Sequence, residues 1–239
     1  MKLSAIIPAR ISSKRLPRKV LKKINGIPMI EHVRRKAVSS KMFQEVKIVT
    51  SDLKIRKMYK GQAFLNKKKH FSGTSRATEI VNKIKGDIIV ILFADELLIS
   101  ENQIKKYCTK IKKDKKSECW NATTTLNKKD LKSNDIVKCL VDKNNYITDF
   151  SRRKIGSSSD KKILKSVGII SFKKNFLKKY SYLKQSINEK ENKIEQYRIL
   201  DNNYKIKSIF LEKVHNSINS INDFNNASKL LKKIKLKRI

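Results

Sequence analysis

Three cations follow the first apolar run of the chain at short intervals. They are Arg10, Arg15 and Lys19, in AIIPARISSKRLPRKVL. Two guanidinium forks and a point-charge ammonium on one loop suit a polyanion such as a triphosphate, because each contact is charge-assisted. The loop lacks the glycines of a Walker A sequence, so it is not a P-loop. A second group with chemistry is the acid pair Asp95-Glu96, which ends the most apolar run, DIIVILFADE. A carboxylate there is suited to hold Mg²⁺ against phosphate oxygens. On charge alone the plain alternatives are a solvated basic loop and an acid that faces solvent or caps the next helix.

These residues need elements that bring them together. LSAIIPA (3–9), VKIVTSD (46–52), the weaker GQAFLN (61–66) and DIIVILFADE (87–96) read as strands. Between them, PMIEHVRRKAVSS, with Pro28 at the first helical position, and SRATEIVNKIK (75–85) carry apolar residues at helical spacing. NQIKKYCTKIKK follows the fourth strand as a helix. Strands alternating with helices predict a parallel α/β sheet, with ligands at the carboxyl ends of the strands. The basic loop and the acid pair then share one edge, with no helix interrupting the loop.

The second half is β-rich, with strands expected at 121–126, 136–142, 146–152 and 167–173, and a hairpin turn at Asn144-Asn145. Helices are expected at 173–181 and about 188–201, then a strand in KIKSIFL and a final helix from about Ile221. KIGSSSDKK (154–162) reads as a mobile loop. At 239 residues the chain is expected to be one domain.

Composition narrows the classes. The net charge is +37, but lysine recurs everywhere and is not clustered with arginine and aromatics. A specific nucleic-acid footprint is therefore not expected. Cys108, Cys119 and Cys139 are an odd set without C-x-x-C, so neither a zinc site nor a disulfide framework follows. No run approaches the roughly 20 apolar residues of a membrane span, and the N-terminus lacks the apolar core of a signal peptide. A cytoplasmic protein without transmembrane association is expected. The basic C-terminal LLKKIKLKRI reads as a packed helix with a solvated face, with membrane-surface contact as the lesser alternative.

The motifs together resemble the 3-deoxy-manno-octulosonate (Kdo) cytidylyltransferases, the CMP-Kdo synthetases, relatives of the CMP-sialic acid synthetases. The chain's IIPARISSKRLPRKVL and NGIPMIEHV are similar to that family's opening segments, and HFSGTSR (70–76) to its H-x-S-G-T motif. FADEL (93–97), VKCLVDKNNYITDFSR, VGIISFKKNFLKKY, EKENKIEQYRIL and HNSINSINDF match further family segments in order.

The resemblance implies a Rossmann-like nucleotidyltransferase sheet flanked by helices. A β-rich insert at about 120–200 would bind the sugar and pair two copies in a homodimer, against the repulsion of +37 per chain. It implies CTP and a Kdo-type sugar acid as partners, Mg²⁺ as cofactor, and a product used in lipopolysaccharide synthesis. Arg10, Arg15 and Lys19 would be catalytic. Ala9, Ser13, Ser72, Gly73, Thr74 and Arg76 would bind the nucleotide. Asp95 and Asn219 would hold the metal, and Arg152, Glu195 and Gln196 the sugar. His32 and His70 would be structural or nucleotide-adjacent, with no partner acid evident, and Trp120 a core residue.

The chain departs from the family at several points. Arg18 stands for a glycine, Phe93-Ala94 for Gln-Gly, Ser166 for histidine, Ile170 for tyrosine, and Asn219 for aspartate. These changes leave two alternatives open. One is a related sugar acid, such as 8-amino-Kdo or a nonulosonic type. The other is a degenerate nucleotide-binding paralogue without turnover.

Overall fold

The computed structural model describes residues 1–13, 15–153, 155–156 and 160–236, with side chains to position 232. The first half runs β1 (Leu3–Ala9), a 3₁₀ turn (Lys19–Leu21), a short hairpin of β2 (Lys23–Ile24) and β3 (Ile27–Pro28), then α1 (Met29–Ser39), β4 (Val46–Thr50), α2 (Leu53–Met58), β5 (Ala63–Leu65), α3 (Gly73–Ile80), β6 (Ile88–Leu92) and α4 (Glu101–Lys113). The second half runs β7 (Cys119–Thr124), α5 (Lys128–Lys132), β8 (Lys138–Val141), β9 (Tyr146–Ser151), β10 (Lys162–Lys173), α6 (Lys174–Tyr180), α7 (Ile187–Asn192), α8 (Tyr197–Leu200), β11 (Ile206–Phe210) and α9 (Ile221–Leu236).

Among the described residues one sheet holds nine strands, in the order β5-β4-β1-β6-β10-β7-β11-β9-β8. β5, β4, β1 and β6 are mutually parallel, as the alternation of strands and helices predicts. β10 then enters antiparallel to both β6 and β7, so the β-rich half joins the parallel strands in one mixed sheet. Strands β1 and β6 are buried along their whole length because both faces are covered, and apolar at every position but Ser4. Leu3, Ala5, Ile7, Ile88, Val90 and Leu92 pack under α1 and α4, while Ile6, Ile89 and Ile91 pack under α3 and α6. Trp120 is fully buried in the first of these layers, as expected.

β8 pairs with β9 and also with the start of β10, and β9 pairs with β11. The β-rich half thus continues the main sheet and curls its far end closed. β10 starts at Lys162, five residues before the expected strand. It bends at an irregularity between Ser166 and Ile170. Its early residues, KILKS, break any apolar run with Lys162, Lys165 and Ser166, which hid this part of the strand. Of the expected mobile loop at 154–162, positions 154 and 157–159 lie outside the described residues.

Two further differences bear on the cleft. The expected helix over 188–201 is two short helices, because Lys193 adopts a left-handed conformation (φ 53°) and stops α7. Glu195 and Gln196 therefore sit in the turn before α8. The first loop is not free of helix, since Lys19 opens the 3₁₀ turn. After it, Asn25 and Gly26, both with positive φ, make the tight turn joining β2 to β3.

Candidate active site

A small satellite core fixes the loops at the carboxyl edge of the parallel strands. Leu16, Ile24, Met29, Leu97, Ile218 and Ala227 pack together there. Three of these are close in sequence to residues with chemistry. Leu16 follows Arg15, Leu97 lies two positions after Asp95, and Ile218 precedes Asn219. Burying those apolar neighbours turns the polar side chains into one cleft of about 1030 Å³.

Lys19 is central to it. Its Nζ donates to Asp95 Oδ2 at 2.8 Å and to the Ile218 carbonyl at 2.9 Å. Ile218 N in turn donates to the Asp95 carbonyl at 3.0 Å, closing a small ring of contacts. Arg15 reaches two loops at once, donating to Asp135 Oδ1 and, at 3.0 Å, to Asn219 Oδ1. The residue before Lys19, Arg18, is held at φ 53°, the left-handed region that favours glycine.

A second wall comes from the start of α3. Ser72 caps this helix through a reciprocal bond with Ser75. A Cβ on Gly73 would stand 2.5 Å from the Phe93 ring and 3.2 Å from Pro8, so only glycine fits beside that ring as it lies. Thr74 is buried and lies behind the surface, and its amide (3.1 Å) and hydroxyl (2.7 Å) both bond the Glu195 carboxylate. Gln196 Nε2 bonds Asn121 Oδ1 at 3.1 Å, and Asn121 Nδ2 bonds Ser166 Oγ at 3.1 Å. Arg152 donates to the carbonyls of Asn192, Lys193 and Asp135.

Of the expected site residues, Arg10, Ser13, Arg15, Lys19, Ser72, Gly73, Arg76, Asp95, Arg152, Glu195, Gln196 and Asn219 line this one cleft. Ala9 is buried at the end of β1 and Thr74 lies behind the wall, and neither lines it.

The cations of the cleft crowd one another. Burial and the neighbouring Arg10 push the Arg76 pKa down, against Asp52 and Glu195. Burial and Arg15 do the same to Arg152, against Asp135. Arg76 Nε is buried without a hydrogen-bond partner. A bound polyanion would relieve this repulsion.

Two features escaped the sequence reading. Glu96 is buried, and its Oε1 accepts from Gly168 N at 2.8 Å and from Ser217 Oγ at 2.7 Å. It thereby joins the end of β6 to β10 and to the loop before α9. Burial, with Asp95 beside it, pushes its carboxyl up to about 7. The acid pair after the apolar run was its only sequence signal. The second feature corrects the view of His70 as lacking an acid, because its Nε2 pairs with Glu79 Oε2 at 2.6 Å. His32 Nε2 instead meets the Ile24 carbonyl at 2.9 Å. Cys108, Cys119 and Cys139 are buried free thiols with pKa values pushed up by burial.

The donor set also fits a magnesium ion. Asp95 and Asn219 offer a carboxylate and an amide oxygen on one wall, both already turned to cationic groups, Lys19 and Arg15. Magnesium takes such hard oxygens together with substrate phosphates. Among the described residues no three His, Cys, Asp or Glu side chains gather, so phosphate oxygens and water would complete the shell.

A doubly covered sheet with a cationic loop over its carboxyl edge and an acid after β6 has the parts a nucleotidyltransferase needs. The family model described as cytidylyltransferase matches residues 4–209. The chain is 36% identical to the 3-deoxy-manno-octulosonate cytidylyltransferase of Fusobacterium nucleatum, over 91% of each chain. It is also 36% identical to that of Francisella tularensis, over 84% of this chain and 86% of the other. A solved CMP:2-keto-3-deoxy-manno-octonic acid synthetase, complexed with CTP, superposes with a TM-score of 0.88 at 26% identity, over 98% of this chain and 99% of the other. A glucose-1-phosphate thymidylyltransferase structure from Bacillus anthracis shares the fold alone, at 13% identity and a TM-score of 0.67. The chain belongs to the cytidylyltransferase family, among its 3-deoxy-manno-octulosonate cytidylyltransferases. It is a CTP-dependent nucleotidyltransferase. No helix among the described residues is long and apolar enough to cross a membrane.

Proposed function

We propose that this chain transfers the cytidylyl group of CTP to a Kdo-type sugar acid, releasing pyrophosphate and forming the CMP-sugar. The observation that carries this reading is the convergence of Arg10, Arg15, Lys19 and Arg76 on one cleft beside Asp95. The anomeric hydroxyl of the sugar gives up its proton to solvent as its oxygen bonds the α-phosphorus, and the bond from that phosphorus to the pyrophosphate oxygen breaks. Such a reaction needs alignment and charge neutralisation more than covalent help from the protein.

The residues divide the work by position. Arg10 and Arg15 bind the β- and γ-phosphates, and Lys19 meets the negative charge that grows on the departing pyrophosphate. Ser13, Ser72, Gly73 and Arg76 hold the nucleotide, with Ala9 and Thr74 shaping its wall from behind. Asp95 and Asn219 would hold Mg²⁺, which would neutralise phosphate charge when bound. Arg152 pairs with the sugar carboxylate as a fork. Gln196 contacts sugar hydroxyls, and Glu195 fixes the nucleotide loop through Thr74 while facing the sugar side.

The segment 120–200 supplies Arg152, Glu195 and Gln196, which supports giving it the sugar-binding role. Pairing of two copies through the same segment is the proposed oligomer, in a cytoplasmic enzyme. The test is to incubate the purified protein with CTP, Mg²⁺ and either Kdo or its 8-amino analogue, and to identify the product by mass. CMP-Kdo supports the reading. CMP-8-amino-Kdo alone would mean that the sugar side has been respecified. No product with either, while CTP still binds, would mean a paralogue without turnover.

A further inference from the structure

Lys138 on β8 is fully buried, although lysine almost never is without a partner. Its Nζ donates to the carbonyls of Ser133 and Arg152, each at 2.5 Å. Both acceptors belong to segments that line the cleft. Ser133 begins the turn that carries Asp135, and Asp135 N donates back to Ser133 Oγ at 3.3 Å. Arg152 is the residue after β9 whose guanidinium faces the cleft, and its Nη1 reaches the Asp135 carbonyl at 3.4 Å. Asp135 is also the carboxylate that holds Arg15. One buried ammonium thus lies behind two cleft guanidiniums, on Arg152 directly and on Arg15 through Asp135.

The register of the sheet sets a second buried lysine beside it. Lys138 stands opposite Ser151 on β9 and opposite Lys165 on β10. Lys165, also buried, does a parallel task for the other lip. Its Nζ donates to Val214 O at 3.0 Å and Asn216 Oδ1 at 2.6 Å, in the loop leading to Asn219. Asp130, 3.8 Å from Lys165 and itself buried, is the acid that offsets both charges. Burial and Arg152 push the Lys138 pKa down, and Asp130 acts against them.

We infer that Lys138 is a positioning residue: through the Ser133 and Arg152 carbonyls it sets the Arg152 guanidinium for the sugar acid's carboxylate. The inference rests on the proposed function for its catalytic consequence but not for the anchor itself. Arg15 is held from a second side by Asn219, so loss of Lys138 falls mainly on Arg152.

The experiment uses Lys138→Met and the milder Lys138→Gln, whose amide reaches one carbonyl. Hydrogen exchange on the ligand-free protein reads the anchor without turnover. Faster exchange confined to 133–136 and 151–153 is expected in Lys138→Met, and unchanged exchange there overturns the inference. In the transfer assay, Lys138→Met raises the KM for the sugar acid roughly tenfold and leaves that for CTP within about twofold. Lys138→Gln falls between. In an Arg152→Ala background, Lys138→Met adds nothing further to that KM. Equal loss in kcat without a KM change, or additive effects with Arg152→Ala, means a merely structural lysine and contradicts the inference. If the wild-type protein turns over no sugar acid, the functional reading fails, and the exchange experiment still decides the anchor. If Lys138→Met does not fold, Lys138→Gln carries both measurements.

Discussion

Gly73 and Phe93 fit one another at the floor of the cleft, and each limits what the other position can hold. A methyl at 73 would overlap the Phe93 ring at 2.5 Å, so Gly73→Ala forces the ring to turn. We expect a loss of stability of about 1–3 kcal/mol by thermal melting, and weaker CTP binding by calorimetry. Adding Phe93→Leu to Gly73→Ala, which removes the clashing ring atoms, should recover most of both losses. Arg18 offers the opposite case. Held at φ 53°, it carries the cost of a left-handed side-chain residue, so Arg18→Gly should stabilise the protein by about 1 kcal/mol in urea unfolding. The motif departure at Arg18 was visible in the sequence, whereas its strained backbone was not, because left-handed geometry leaves no mark on an arginine. The His70–Glu79 pair was likewise unreadable: the acid is nine residues on, and only the placement of α3 brings it round.

The loop from Asn66 to His70 is gathered along its length by one carboxylate, with Asn66 also tied to the Thr50 and Arg76 carbonyls. Glu79 accepts from Lys67 N at 2.6 Å, Lys68 N at 3.3 Å and Asn66 Nδ2 at 3.2 Å, besides His70. Burial alone would raise its pKa, but these hydrogen bonds outweigh burial and bring it down to about 2. A carboxyl with a lowered folded pKa stabilises the fold above its unfolded value and loses that contribution as pH falls through its folded one. The stability gap between the wild type and Glu79→Gln should therefore be full above about pH 5 and close towards pH 2. Urea unfolding across that range measures it, and a gap independent of pH would contradict it. The parallel strands were legible because burial on both faces makes them predominantly apolar, with β6 apolar throughout. The early part of β10 was not, since Lys165 is buried yet reads as a surface residue. The break at Lys193 was missed for the same kind of reason: it sits where a glycine or asparagine would have signalled the stop.

The whole molecule carries a net charge of +37 spread over its surface and into its cleft. Self-repulsion of that size destabilises the compact state and is screened by salt over about 10 Å at 0.1 M. The melting temperature should rise between low and roughly 0.5 M sodium chloride, and weak binding to unrelated nucleic acid should vanish over the same range. A flat melting temperature would show that the charges are already compensated. Within this field the cleft gathers Arg10, Arg15, Lys19 and Arg76 beside Asp95, with Lys19 clasped between Asp95 and Ile218. The most direct measurement is pyrophosphate release from CTP in the presence of Kdo and Mg²⁺, comparing the wild-type protein with Lys19→Ala. Release that depends on the sugar acid and falls by about a hundredfold or more in the variant is the expected result. Release that the variant leaves unchanged would show that the basic loop does not serve the triphosphate.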